Sequence, residues 1–167
     1  MLEELEKMTG AKTHQMFYLV VETSTGAVIA SMMGISCMGA RVGLEVYREM
    51  GRKIFKRSVV EGVGDLIQHQ SYYDNIVLEE EVLKTFASDT MIFNTSSTKE
   101  IPAMSFVSSL LIIMMQPHLF SNYTHHASSS KPPFPHTTTL PLQQAIMASC
   151  AAPGYCSQVV IGGHGRQ

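Results

Sequence analysis

The chain has 167 residues, of which 45% are hydrophobic and 16% are charged, and its formal net charge is −2. A chain of this size can bury about two thirds of its unfolded surface in one core, so these figures exclude a disordered tail. The near-neutral charge also excludes the basic footprint of a nucleic-acid-binding protein. Three cysteines without a CxxC pattern argue against a disulfide framework and a zinc ribbon, and favour a reducing compartment.

Neither the amino terminus nor the longest apolar run predicts a targeting or membrane segment. Residues 1–8 carry acid where a secretory signal carries base, and they predict an amphipathic helix that ends at Gly10. The apolar run 101–115 is interrupted by Pro102 and by serines. It is shorter than the roughly twenty residues of a spanning helix, and a buried strand is the better interpretation.

The first half of the chain predicts a strand followed by two helices. The apolar run 16–21 is typical of a parallel-sheet strand buried on both faces. A sharp turn leads into a helix over 27–33, whose methionines are predicted to lie in the core. Periodicity predicts a second helix over 40–55. The apolar side of this second helix is predicted to contain Leu44, Tyr47, Met50 and Ile54.

The second half continues the alternation of helices and strands. The predicted elements are a connection over 58–71, a helix capped by Asp74 or Asn75, strands over 103–115 and 118–123, a Ser/Pro/Thr-rich loop over 127–139, and a helix over 142–152 stopped by Pro153. The helix after Asp74 is predicted to bury Val82, Leu83 and Phe86. This alternation favours an α/β fold with a largely parallel sheet.

The turn at Ser24 is where local structure and reactive chemistry coincide. A serine on a sharp strand-to-helix turn is held clear of its neighbours, and the N–H groups at the helix start face the position of an oxyanion. Such a geometry suits acyl transfer. Gly26 matches the last glycine of the usual Gly-x-Ser-x-Gly pattern, whereas Glu22 replaces the first. The alternative is an ordinary serine in a β–α turn.

Two segments of the chain resemble a known family. Residues 12–33 (KTHQMFYLVVETSTGAVIASMM) and 140–155 (LPLQQAIMASCAAPGY) together resemble the patatin-like phospholipase domain, most closely its gamma-type calcium-independent subfamily. Shorter stretches at 45–51, 73–75 and 120–123 follow the family pattern in the same order. The resemblance therefore covers nearly the whole chain.

The resemblance implies a three-layer α/β fold with a central, mainly parallel sheet and a serine–aspartate dyad. Ser24 would be the nucleophile, in an elbow formed with Glu22, Thr23, Thr25 and Gly26. The implied substrate is the acyl ester of a phospholipid or related acyl lipid at a membrane surface, hydrolysed through an acyl-serine without calcium, another metal or a cofactor. The implied location is intracellular and peripheral to membranes, such as endoplasmic reticulum, mitochondrion or peroxisome.

Departures from the family pattern bear on activity. The glycine-rich oxyanion loop is expected before the first residue and the Asp-Gly-Gly turn after the last, so the domain over 1–167 is interpreted as incomplete at both ends. No residue is assigned as the dyad aspartate, and loss of one oxyanion donor costs about a hundredfold or more in rate. Glu22 is expected to add strain of about 1 to 3 kcal/mol and a carboxylate that opposes a nearby oxyanion. The alternative function is a truncated or degenerate, non-catalytic relative that acts as a lipid-binding or interaction module.

The remaining reactive side chains favour structural interpretations. No metal site is predicted, because the histidines lack zinc-site spacing, and they are interpreted as solvated loop residues. These are His118, His125, His126 and His136. Cys150 could act as a nucleophile, but its small neighbours favour packing.

Overall fold

The computed structural model describes residues 1–56, 75–86, 103–111, 115–123, 134–152 and 155–161. In chain order its elements are α1 (Leu2–Thr9), α2 (Thr13–Met16), β1 (Leu19–Thr23), α3 (Thr25–Ala30), a π-helical turn (Ser31–Ile35), α4 (Ala40–Ile54), α5 (Asn75–Thr85), β2 (Ala103–Leu111), β3 (Met115–Ser121), β4 (His136–Thr137) and α6 (Leu142–Cys150). The predictions for 58–71, Asp74, His125, His126, Pro153 and residues 127–133 lie outside these ranges.

The four strands form one sheet in the order β1-β2-β3-β4. The β1–β2 and β3–β4 pairs are parallel, whereas β2 and β3 are antiparallel. This arrangement confirms the α/β class with parallel pairing around β1. The antiparallel pair follows from chain length, because only three residues separate β2 from β3 and parallel strands need a crossover of about a dozen or more.

The prediction that the first strand is buried on both faces is wrong. Residues 13–16 form α2 instead, and β1 begins only at Leu19. Leu19 and Val21 are 52% and 51% exposed. The reason is the strand order, which places β1 at the edge of the sheet that the structure describes.

The first helix is confirmed, and its end has a local cause. After α1, Gly10 adopts the left-handed conformation with φ 70°, and its N–H donates to the Glu6 carbonyl at 2.9 Å. Glycine pays no Cβ penalty in that conformation, so the helix stops there. Within the described part of the chain, no helix is both long and apolar enough to span a membrane.

Helix α4 is confirmed, but its buried face differs from the prediction. Tyr47, Met50 and Ile54 lie on the packed side as predicted. Leu44, by contrast, is 40% exposed. Gly43 takes the buried position instead, since a Cβ there would lie 2.5 Å from the Met33 methyl carbon. Because α4 packs on the π-helical turn at Gly43, the face that it buries differs from the face that side-chain hydrophobicity predicts.

Helix α5 shows the same kind of difference. Val82 and Phe86 are buried as predicted, whereas Leu83 is exposed. Glu81 takes a buried place, and its carboxylate accepts hydrogen bonds from Lys84 and from Lys53 on α4, each at 3.0 Å. These bonds outweigh the opposing effect of burial and lower the pKa of Glu81. Glu81 therefore joins α4 to α5.

The solvated-loop interpretation is wrong for His118 and His136. His118 lies on β3, its Nε2 is 2.8 Å from the Thr137 Oγ1 on β4, and its ring packs against Phe120. His136 begins β4, which pairs with β3 and covers His118. Burial, and then the neighbouring His136, lowers the pKa of His118. Pairing of the two-residue β4 with β3 thus places both histidines in the sheet, where they are half-buried.

One carboxylate ties the first helices to α4. The Glu6 carboxylate accepts hydrogen bonds from the Thr13 N–H at 2.9 Å, the Thr13 hydroxyl at 2.8 Å and the Ala40 N–H at 2.8 Å. The Ala40 N–H belongs to the first turn of α4, where unpaired donors and the helix dipole favour an anion. Burial opposes the charge, but the three bonds outweigh it and lower the pKa of Glu6.

We predict that Glu6→Gln lowers the free energy of unfolding by about 1 to 2 kcal/mol at neutral pH, because one amide nitrogen would then face an N–H donor. Since the folded-state pKa lies below the ordinary value, the wild-type contribution is full above that ordinary value and is lost as pH falls through the folded pKa. Urea denaturation across this acid range measures both effects. The control is Glu3→Gln, which removes only an exposed ion pair with Lys7. Equal losses in both variants would contradict the role of Glu6.

Candidate active site

Ser24 occupies an unusual backbone conformation between β1 and α3. Its φ of 54° and ψ of −133° lie outside the regions that side-chain-bearing residues commonly adopt. Among the described non-glycine residues, only Cys37 shares a positive φ. Such a conformation costs about 1 to 3 kcal/mol and persists only where the surrounding structure enforces it. It matches the strained strand-to-helix turn that exposes a nucleophilic serine.

A hydrogen bond from another part of the chain holds this turn. The Ser24 N–H donates to the Ser149 Oγ on α6 at 2.9 Å, across a separation of 125 residues. The Ser24 carbonyl accepts from the Ala27 N–H at 2.9 Å, which closes the first turn of α3. The two segments that resemble the patatin-like family therefore meet at Ser24. Sequence reasoning noted Ser149 within a motif but assigned it no contact.

Glu22 and Gly26 are adjacent on the other side of the elbow. A Cβ at Gly26 would lie 2.6 Å from the Glu22 Oε2, so the glycine leaves the room that the Glu22 side chain fills. Glu22 keeps strand geometry and pairs with Phe106 of β2, so the strained backbone is at Ser24 rather than at Glu22. Its side chain borders a second cavity, on the side of His14.

Ser24 borders an apolar cavity of about 200 Å3. Helices α3, α4 and α5 supply the walls, with Val28, Met50, Ile54 and Leu78 among the lining residues. Phe55 and Tyr155 also line it, and both are exposed. The cavity can therefore hold a hydrocarbon chain next to the serine hydroxyl.

The first residue of α3 lines this cavity and has a backbone donor without a partner in the helix. Thr25 directly follows Ser24, lines the same cavity, and is the first residue of the helix. Its N–H has no carbonyl partner within the helix, as for every residue of a first turn. In a serine elbow, the N–H of the residue after the nucleophile is a donor to the oxyanion.

No general base for Ser24 lies in the described part of the chain. Within it, no carboxylate or imidazole lines the cavity, and the Ser24 hydroxyl makes no hydrogen bond. All three aspartates, Asp65, Asp74 and Asp89, fall outside the described ranges. Nor do the described residues include a group of three or more His, Cys, Asp or Glu that could hold a metal ion.

Cys150 lies in the same cavity wall but is chemically inert. Its side chain is buried in the core, as the packing interpretation predicts. Burial and then the neighbouring Cys156 thiol raise the pKa of Cys150 to about 12. The thiolate, which is the nucleophilic form, is therefore nearly absent at neutral pH.

The comparisons with known proteins agree with this combination of an α/β fold and a serine elbow. The model of the patatin-like phospholipase family matches residues 1–165. The chain therefore belongs to the patatin-like phospholipase family.

Individual relatives are similar along most of the chain. It is 28% identical over 170 residues to calcium-independent phospholipase A2-gamma of Mus musculus, covering 96% of this chain and 21% of that protein. The protein of the same name from Oryctolagus cuniculus is 29% identical over 163 residues, covering 96% and 20%. Phospholipase A I of Arabidopsis thaliana is 28% identical over 145 residues, covering 74% and 11%. The chain thus spans about a fifth of the length of the first two relatives.

We predict that Ser149→Ala lowers the free energy of unfolding by about 1 to 2 kcal/mol, because the Ser24 N–H loses its acceptor. Ser31→Ala is the matched control, since it removes a buried hydroxyl that donates to the Ala27 carbonyl. That carbonyl keeps its bond to the Ser31 N–H, and a serine hydroxyl bonded to the carbonyl four residues back adds little to helix stability, so we expect a change of about 0.5 kcal/mol or less. Chemical denaturation measures both variants, and equal losses would argue against the Ser24–Ser149 link.

We predict that iodoacetamide at mildly alkaline pH leaves Cys150 unmodified in the native protein and modifies it after denaturation. The reason is the buried thiol, whose pKa of about 12 keeps the thiolate fraction small. Peptide mass spectrometry reads the extent of alkylation, and Cys37 serves as the half-buried comparison. Rapid alkylation of Cys150 in the native protein would contradict this prediction and support a nucleophilic role for the thiol.

Proposed function

We propose that this chain carries the catalytic serine of a lipid acyl hydrolase that cleaves phospholipid acyl esters at intracellular membranes. The observation that supports this proposal most directly is that Ser24 has a positive φ and borders an apolar cavity. A strained elbow supports a nucleophilic role, and a cavity with apolar walls suits an acyl chain rather than a polar substrate. Membership of the patatin-like phospholipase family supports the same reaction class.

The proposed reaction proceeds in two acyl transfers. The Ser24 Oγ attacks the ester carbonyl carbon, and its proton passes to a base while the Thr25 N–H donates to the oxyanion. Collapse breaks the ester C–O bond, releases the protonated alcohol and leaves an acyl-serine. Water then attacks the acyl-serine, which yields the free fatty acid and regenerates the Ser24 hydroxyl.

The base in this proposal is an aspartate of a serine–aspartate dyad. The family pattern assigns it to an Asp-Gly-Gly or Asp-Gly-Ala turn after the segment that contains Ser149. A base is required because a serine hydroxyl is a weak nucleophile at its ordinary pKa. Among the residues that line the cavity, Thr25 would carry the backbone donor of this proposal, and Val28 and Leu78 form part of the apolar wall.

The second candidate function is a non-catalytic lipid-binding module. It is favoured by the lack, among the described residues, of any side chain that could take the Ser24 proton. The same apolar cavity would then hold an acyl chain without turning it over. The two candidates differ in one property, which is the reactivity of the Ser24 hydroxyl.

We predict that a fluorophosphonate probe labels the protein on Ser24 and that Ser24→Ala abolishes labelling. The physical reason is that the probe traps a serine hydroxyl activated for attack and imitates the tetrahedral intermediate. Gel fluorescence and peptide mass spectrometry measure the labelling. Ser31→Ala, a buried serine outside the elbow, is the control that should still be labelled.

Absence of labelling in the wild-type chain, together with retained fatty-acid binding, would favour the lipid-binding module. Labelling that persists in Ser24→Ala would overturn the assignment of the nucleophile.

A further inference from the structure

An exposed apolar and basic face runs along α4 to the mouth of the Ser24 cavity. Leu44, Arg48, Gly51 and Phe55 are spaced by four, three and four residues, so they share one side of the helix. Gly51 and Phe55 line the cavity, and Phe55 is 48% exposed. Tyr155, also a lining residue, is 62% exposed. Two aromatic side chains that line the cavity are thus exposed rather than buried.

The basic residues of this face are not neutralised within the described part of the chain. Arg48 and Arg52 are exposed and make no ion pair there. The other basic residues of α4 differ: Arg41 pairs with Glu45 where both adjoin this face, and Lys53 pairs with Glu49 and with Glu81. We call Leu44, Arg48, Arg52 and Phe55 the α4 face.

We propose that the α4 face docks on an anionic phospholipid bilayer. Apolar side chains flanked by unpaired arginines match a surface that has an apolar interior below negatively charged headgroups. Docking there would place the cavity mouth against the bilayer, so an acyl ester could reach Ser24 from the lipid phase. This inference rests on the proposed function, because it explains how an acyl ester would reach Ser24. The binding to the bilayer itself requires no catalysis.

Charge separates this face from the other exposed apolar surface. Phe17, Leu19 and Val21 are also exposed, around the second cavity. That cavity is bordered by Glu22 and by no lysine or arginine of the described residues, and Glu3 and Glu4 of the adjacent α1 are paired with Lys7. An anionic bilayer repels the Glu22 carboxylate but attracts Arg48 and Arg52. Electrostatic complementarity therefore selects the α4 face.

The test is co-sedimentation with vesicles of phosphatidylcholine alone and of phosphatidylcholine mixed with phosphatidylserine. We expect stronger binding to the anionic vesicles, with a decrease as salt concentration rises. Arg48→Gln with Arg52→Gln should weaken this binding about 25-fold, since each basic residue near the surface contributes about fivefold. Leu44→Ser should weaken binding to both kinds of vesicle.

Matched variants on the other surface control for charge and hydrophobicity. Lys12→Gln removes an exposed positive charge that makes no ion pair among the described residues, and Leu19→Ser removes an exposed leucine from β1. Both should leave vesicle binding within about twofold of wild type, because surface substitutions away from specific contacts change free energies by about 0.5 kcal/mol or less. Loss of binding in these variants but not in the α4 variants would overturn the proposal. The absence of binding to both kinds of vesicle would also overturn the proposal. Formation of a protein dimer through the α4 face, without binding to vesicles, would overturn it as well.

Two further arms separate this inference from the proposed function. Ser24→Ala should bind anionic vesicles as wild type does, because docking does not use the serine hydroxyl. The double arginine variant should keep hydrolysis of a water-soluble short-chain ester while losing hydrolysis of vesicle phospholipid. If neither ester is cleaved, the proposed function fails, and the vesicle-binding comparison alone still decides whether the α4 face docks.

Discussion

The positive φ of Ser24 is the constraint on which the candidate site depends. The strain costs about 1 to 3 kcal/mol, whereas the single hydrogen bond from its N–H to Ser149 contributes a net of about 0.5 to 1.5 kcal/mol. That bond alone does not offset a strain at the upper end of this range. Burial of Ala27 and Val28, which follow on α3, must contribute as well. The elbow is therefore a product of the packed core rather than of the turn sequence alone.

Two carboxylates hold the walls around this elbow. Glu6 joins α1 and α2 to the start of α4, and Glu81 joins α4 to α5. Helices α4 and α5 supply walls of the Ser24 cavity, so the shape of an apolar cavity depends on charged contacts behind it. Both carboxyl groups have a lowered pKa, which means that both contacts lose strength as pH falls.

The two cavities next to the elbow differ in their chemistry. On one side, Ser24 borders an apolar cavity beside an arginine-bearing helix face. On the other, Glu22 fills the space that Gly26 leaves and borders the second cavity. Glu22, which replaces the usual elbow glycine, thus lines the second cavity and is not among the residues that line the cavity at Ser24. Patatin-like family membership and this separation both support the proposed lipid-ester substrate.

The sequence by itself determined the features that depend on local backbone rules. The helix end at Gly10, the α/β alternation and the strand–turn–helix at Ser24 follow from glycine conformation and from the periodicity of apolar residues. Periodicity failed at Leu44 and Leu83, because the face that a helix buries depends on which neighbour it meets. Only the tertiary structure placed Ser149 against Ser24 and formed the cavity beside them. The physical reason is that these contacts join residues far apart in the chain, and no local rule specifies their distance.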